Sequence, residues 1–160
     1  MSKVIDLDVL QRFETHLGDL YGLFAEVLRD DREVSALFAK MALEEYGHAE
    51  LVAYQRRILE QNPELFSDLD LDLDEVFQAT ARVRHVRERA PSLSATEAAT
   101  RALEFESSAA EYHSRMAMLQ ANSGFAAFLN RLGHADHEHQ ERLETLIRSA
   151  SSAAPSPGAR

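Results

Sequence analysis

The sequence predicts an all-α protein: a four-helix bundle with a long crossover between helices 2 and 3 that carries a short extra helix. Three observations predict it. Apolar residues recur at alternating steps of three and four along four long stretches, the period of a helix with one buried face. Only four prolines interrupt the 160 residues. The helical stretches fall into two pairs, each joined by a short turn, with residues 63–93 separating the pairs.

Helix 1 is expected over residues 7–29, with Asp6 as its N-cap and a stripe of Leu10, Glu14, Leu17, Tyr21, Phe24 and Leu28. Asp30-Asp31-Arg32 marks a tight turn. Helix 2 follows over 33–61 and stops before Asn62-Pro63, because the residue before a proline is pushed out of the helical region. Its stripe reads Val34, Phe38, Met41, Glu45, His48, Val52, Gln55, Leu59. In the crossover, DLDLDLDE (68–75) alternates with the period of a strand, but aspartate is a poor strand former and no second strand offers itself for pairing. A loop feeding a short helix over 74–89 is the better reading.

Pro91 ends that helix, and Ser94-Ala-Thr-Glu97 is a capping box that opens helix 3. The stripe there is Ala99, Ala102, Glu106, Ala109, His113, Met116, Gln120. Asn122-Ser123-Gly124 is the second turn, and helix 4 covers 124–149 with Phe125, Phe128, Leu132, Asp136, His139, Leu143 and Leu146 facing inward. Residues 1–150 thus read as one bundle domain. The small, polar, proline-bearing tail 151–160 is expected to be disordered.

Composition narrows the function. A formal net charge of −10 argues against a sequence-independent grip on nucleic acid or anionic lipid. The chain has no cysteine, which removes disulfides, thiolate zinc sites, iron–sulfur clusters and cysteine nucleophiles together. The opening MSKVIDLDVL has no long apolar run, so neither a signal peptide nor a membrane span is expected, and the cytoplasm is the expected location.

Four stripes carry polar residues where apolar ones belong: Glu14; Glu45 with His48; Glu106; Asp136 with His139. Two of these are acid-x-x-His pairs, and a spacing of three puts both side chains on one helix face. Counting from each turn sets their height. Glu14 lies 17 residues before Asp31, and Glu45 and His48 lie 14 and 17 after it. Glu106 lies 16 before Asn122, and Asp136 and His139 lie 14 and 17 after it. All six fall at one level. Four carboxylates and two imidazoles converging in a core would cost several kcal/mol per unpaired buried ion, whereas two divalent cations cancel the charge of four acids. Oxygen-rich ligands with two histidines suit iron or manganese better than a closed tetrahedral zinc site.

Around these residues the sequence resembles the rubrerythrin branch of the ferritin-like superfamily, over roughly residues 5–150. FETHLGDLYGLFAEV is similar to that branch's first helix, with Tyr21 seven residues after Glu14. LFAKMALEEYGHAEL is similar to the second, ALEFESSAAEYHSRMA to the third and GHADHEHQERLETL to the fourth. The resemblance implies a ferritin-like bundle with two iron ions, manganese or zinc being substitutes. By position it makes Glu45 and Asp136 the bridging carboxylates, Glu14 and Glu106 terminal ligands, and His48 and His139 a ligand to one ion each. Tyr21 would either stand beside the ligands and take part in the chemistry or belong to the core. Three departures stand out: the fourth-helix bridge is Asp rather than the usual Glu; Ala109 replaces a second acid on helix 3; and the cysteine-rich rubredoxin domain is missing. Electrons would then come from a separate donor protein.

The resemblance implies a di-iron protein that oxidises Fe(II) with hydrogen peroxide or dioxygen. Iron storage of the ferritin type, a monooxygenase acting on an organic substrate, and a metal-free scaffold are the competing readings. Other polar residues read more plainly. His113 is expected to be a core histidine, and His134, His137 and Glu138 face away from the core. Glu44 and Glu50 fall off the helix-2 stripe, and RVRHVRER (82–89) is the solvated face of the crossover helix. A second apolar strip on helix 2, of Leu37, Leu51 and Ile58, together with the resemblance, suggests a homodimer.

Overall fold

The computed structural model describes residues 3–63, 73–119 and 123–152. Over 109–119 and 123–136 it describes the helical backbone and, of the side chains, only Ala127, Arg131 and His134. Five α-helices follow one another: α1 (Lys3–Val27), α2 (Arg32–Gln61), α3 (Leu73–Arg89), α4 (Ala95–Leu119) and α5 (Ser123–Ser152), with a 3-10 turn at Ala90–Ser92 after α3. α1, α2, α4 and α5 are the four long helices anticipated from the stripes, and α3 is the crossover helix. Among the described residues there is no strand. The last three residues of the alternating run, 73–75, form the start of α3, while 68–72 lie outside the described residues.

Local chemistry explains most boundaries. Asp31 caps α2, its side chain accepting a hydrogen bond from the Val34 amide. The capping box of α4 closes in both directions: Glu97 N–H donates to Ser94 Oγ (3.3 Å), and the Ser94 amide donates to Glu97 Oε2 (2.8 Å). Two expectations need correction. α1 begins at Lys3, so Asp6 lies in its first turn rather than at the cap. Both places favour an acid, because both sit at the positive end of the helix dipole, and sequence alone does not separate them. α5 takes in Ser123 and Gly124 from the predicted turn and runs to Ser152, so the first two residues of the predicted tail are helical. The rest of the tail, 153–160, lies outside the described residues, as do Asn122 and Gln120.

The chain packs as two helical hairpins, α1 with α2 and α4 with α5, with α3 lying against α1. Backbone contacts are dense within each hairpin and sparse between them. The stripes on α1 and α2 are buried as expected apart from the half-buried Leu28 and Gln55, with Leu10, Leu17, Tyr21 and Phe24 facing Val34, Phe38, Met41, Val52 and Leu59. Tyr21, Phe24 and Phe38 form an aromatic cluster with ring centroids 5.1–6.4 Å apart. α3 adds Val76, Ala79 and Val83, while Arg82, Arg84, His85, Arg87 and Arg89 stay exposed, in line with a solvated face. Small residues allow close approach where helices cross: a Cβ on Gly18 would stand 2.8 Å from the Tyr46 ring. Leu37, Leu51 and Ile58 are not a bare second strip; they are partly buried against the core. The exposed large apolar residues of α2 are instead Leu43, Tyr46 and Tyr54.

Candidate metal centre

The four long helices bring polar side chains to a common layer: α1 and α4 an acid each, α2 an acid–histidine pair and α5 a histidine. Glu14 on α1, Glu45 and His48 on α2, Glu106 on α4 and His139 on α5 are all buried. Buried polar side chains are otherwise rare among the described residues, Asp6 being the only further one. Their stripe neighbours one turn away, Leu10, Leu17, Met41, Val52, Ala102 and Leu143, are buried too, so apolar side chains flank the layer on both sides. Asp136 sits on α5 three residues before His139, but its side chain lies outside the described residues, as do Ala109, His113, Met116, Phe125, Phe128 and Leu132.

The five described side chains form two overlapping groups. Glu14, Glu45 and His48 offer ligand atoms that all lie within 4.8 Å of one another, and so do Glu45, Glu106 and His139. Glu45 belongs to both. His48 Nδ1 stands 3.2 Å from Glu45 Oε2 and 3.7 Å from Glu14 Oε2. His139 Nδ1 stands 2.8 Å from Glu106 Oε2 and 3.2 Å from Glu45 Oε1. The two imidazoles lie 6.3 Å apart, centroid to centroid. Tyr21, expected beside the ligands, donates its hydroxyl hydrogen to Glu106 Oε1 at 2.6 Å.

The electrostatics of the layer are those of a cation site held by protons. Burial alone pulls both imidazoles down. The carboxylates of Glu14 and Glu45 around His48, and of Glu106 and Glu45 around His139, outweigh it and push each up to about 11. Burial pushes Glu45 up, against the hydrogen bonds of the two histidines. The charges are not fully met. His139 Nδ1 faces Glu106 Oε2 at 2.8 Å and Glu45 Oε1 at 3.2 Å, two carboxylate oxygens on one nitrogen that can offer at most one hydrogen, so Glu45 Oε1 is left without a full partner. A buried carboxylate oxygen that shares its donor is costly, and a cation is a partner that a carboxylate set between two imidazoles, with Oε2 toward His48 and Oε1 toward His139, accepts. A donor set of carboxylates and two imidazoles fits a pair of first-row divalent ions.

One residue of this network was missed from sequence. Glu44, read as off the stripe, is partly exposed, yet its Oε2 lies 2.6 Å from His139 Nε2 and 3.2 Å from Arg142 Nη1. Burial pushes the Glu44 carboxyl up, but the hydrogen bond from His139 and the charges of His139, Arg142 and Lys40 more than reverse this and hold it below its ordinary value. The surface reading holds for the others: Glu50, His134, His137 and Glu138 are exposed, and His137 stands 3.5 Å from its helix neighbour Glu141.

Comparison with known proteins bears on the same residues. No curated protein and no solved structure matches the chain. The family model for rubrerythrin does match, over residues 12–147, a span that holds all four long helices' site positions and the crossover between them. A match over that share of the sequence places the chain in a family: it belongs to the rubrerythrins, within the ferritin-like di-iron carboxylate superfamily.

Proposed function

We propose that this protein is a di-iron redox protein that oxidises Fe(II) with hydrogen peroxide or dioxygen, a peroxidase or ferroxidase of the rubrerythrin kind. The observation that carries the reading is Glu45, whose one carboxylate belongs to both candidate ligand groups. Glu14, Glu45 and His48 would hold one ion; Glu45, Glu106 and His139 would hold the other; Asp136 would be the second bridge. A bound iron pair supplies the electrons that a peroxide or dioxygen takes up. The chain's own contribution is fixed placement in a dry layer. Carboxylates from three helices and imidazoles from two are held at one height, apolar turns above and below exclude water, and the Tyr21 hydroxyl keeps a hydrogen bond on Glu106. Re-reduction would come from a separate electron-donor protein. We further propose a cytoplasmic homodimer; among the described residues no helix is long and apolar enough to cross a membrane.

Metal analysis of the purified protein, with its optical spectrum before and after peroxide, tests the reading. Two ferrous ions per chain after anaerobic loading, converted to ferric on peroxide addition, are expected. Protein that takes up no iron sinks it. Light scattering separates this role from storage, since a dimer cannot enclose a mineral and a hollow shell can.

A further inference from the structure

Glu44 is next to Glu45 in sequence but points elsewhere. Successive residues on a helix are turned about 100° from one another, so when Glu45 enters the layer Glu44 leaves it along the α2 flank that faces α5. There one carboxylate oxygen meets two donors, His139 Nε2 at 2.6 Å and Arg142 Nη1 at 3.2 Å, while Lys40 Nζ stands 3.7 Å from the other oxygen. Arg142 is fixed in turn by Glu138 at 3.1 Å. His139 is thus gripped at both nitrogens, by Glu106 on the inner side and Glu44 on the outer.

The chemistry of that outer grip is directional. An ionised carboxylate only accepts hydrogen bonds, so the Nε2 facing Glu44 must carry the hydrogen. A neutral imidazole with its hydrogen on Nε2 has its lone pair on Nδ1, and Nδ1 is the atom that faces Glu45 and Glu106. His48 has no such support: among the described residues no carboxylate is recorded at its Nε2, and its carboxylate partners Glu14 and Glu45 both meet Nδ1.

We propose that Glu44 is a positioning residue for one half of the metal centre: held by Arg142 and Lys40, it fixes the ring and the tautomer of His139 so that Nδ1 is presented to an ion between Glu45 and Glu106. The inference rests on the two-ion reading above and adds an asymmetry to it. Among the described residues, the Glu45–Glu106–His139 half has such an ordering contact and the Glu14–Glu45–His48 half does not.

The experiment uses the full chain and Zn(II), which is diamagnetic and needs no turnover. Binding isotherms are recorded for the natural protein, Glu44→Ala and Glu44→Gln, with histidine ring nitrogens followed by NMR in 15N-labelled protein. The natural protein should bind two ions, with a protonated Nε2 on His139 that exchanges slowly. Glu44→Ala should weaken one ion by about 10–100-fold, the usual effect of losing a carboxylate behind a histidine ligand, and leave the other nearly unchanged. Its His139 Nε2 hydrogen should exchange fast. Glu44→Gln keeps an acceptor without the charge, so it should restore the slow exchange and much of the affinity, and it also guards against a misfolded alanine variant. Equal weakening of both ions, or unchanged affinity with unchanged exchange, overturns the inference while the two-ion reading stands. A natural protein that binds fewer than two ions overturns both.

Discussion

Tyr21 and Glu106 are 85 residues apart and meet at 2.6 Å, the hydroxyl of one donating to the carboxylate of the other. Tyr21 also belongs to the aromatic cluster, so a single side chain ties the apolar core to the polar layer. Tyr21→Phe keeps the ring and removes the donor. Losing one partner of a buried charged group costs about 1–3 kcal/mol, and denaturant unfolding of the metal-free variant should show a loss in that range with an unchanged slope. An equally stable variant would show that the contact does not matter in solution.

Substitutions at the layer should separate by stoichiometry. Glu45→Ala removes the carboxylate shared by both groups and should leave neither ion firmly bound, whereas Glu14→Ala should spare one. His139→Ala should lose the ion between Glu45 and Glu106, and His137→Ala, exposed on the far side of the same helix, should lose nothing. Metal content per chain after desalting decides. If His137→Ala empties the site and His139→Ala does not, the assignment of faces is wrong.

Asp136 stands to His139 as Glu45 stands to His48, three residues earlier on the same helix. As a bridge it is one methylene shorter than a glutamate. Asp136→Glu should raise occupancy or slow the release of the ions to a chelator, and Asp136→Ala should lower it. Release that is faster from the glutamate variant would argue that the shorter acid is the fitted one.

The metal-free protein should lose stability on the alkaline side. His48 and His139 have folded-state values raised to about 11, above the ordinary unfolded value of 6.5. A raised histidine contributes stability that is fully present below pH 6.5 and is lost as pH climbs through the folded value. Thermal midpoints of the metal-free protein should therefore fall between pH 7 and 11, and a His48→Phe, His139→Phe double variant should fall less steeply over that window. Parallel curves for the two proteins would refute it.

What the sequence showed and what it concealed have the same origin. Stripe phase locates a residue relative to its own helix axis, and that sufficed to put Glu14, Glu45, His48, Glu106 and His139 in one buried layer. It said nothing of a long side chain that leaves the stripe and bends toward a neighbouring helix. Glu44 does this, and its partners His139 and Arg142 are 95 and 98 residues away. Phase likewise left Leu37, Leu51 and Ile58 looking bare, because the edge of a stripe can be covered by an adjoining helix. The start of α1 was misplaced for a simpler reason: an acid at the cap and an acid in the first turn read alike.

The two hairpins hold themselves together mainly by contacts near in sequence, while the polar contacts between them gather at one level: Tyr21 with Glu106, Glu45 with His139, Glu44 with His139 and Arg142. Ions bound there would act as rivets between preformed halves. Each hairpin can form early and docking can come late, so the riveting contacts would be absent from the folding transition state. Binding would then leave the refolding rate nearly unchanged and lengthen the lifetime of the native state, so a chelator should act on this protein chiefly as an accelerator of unfolding.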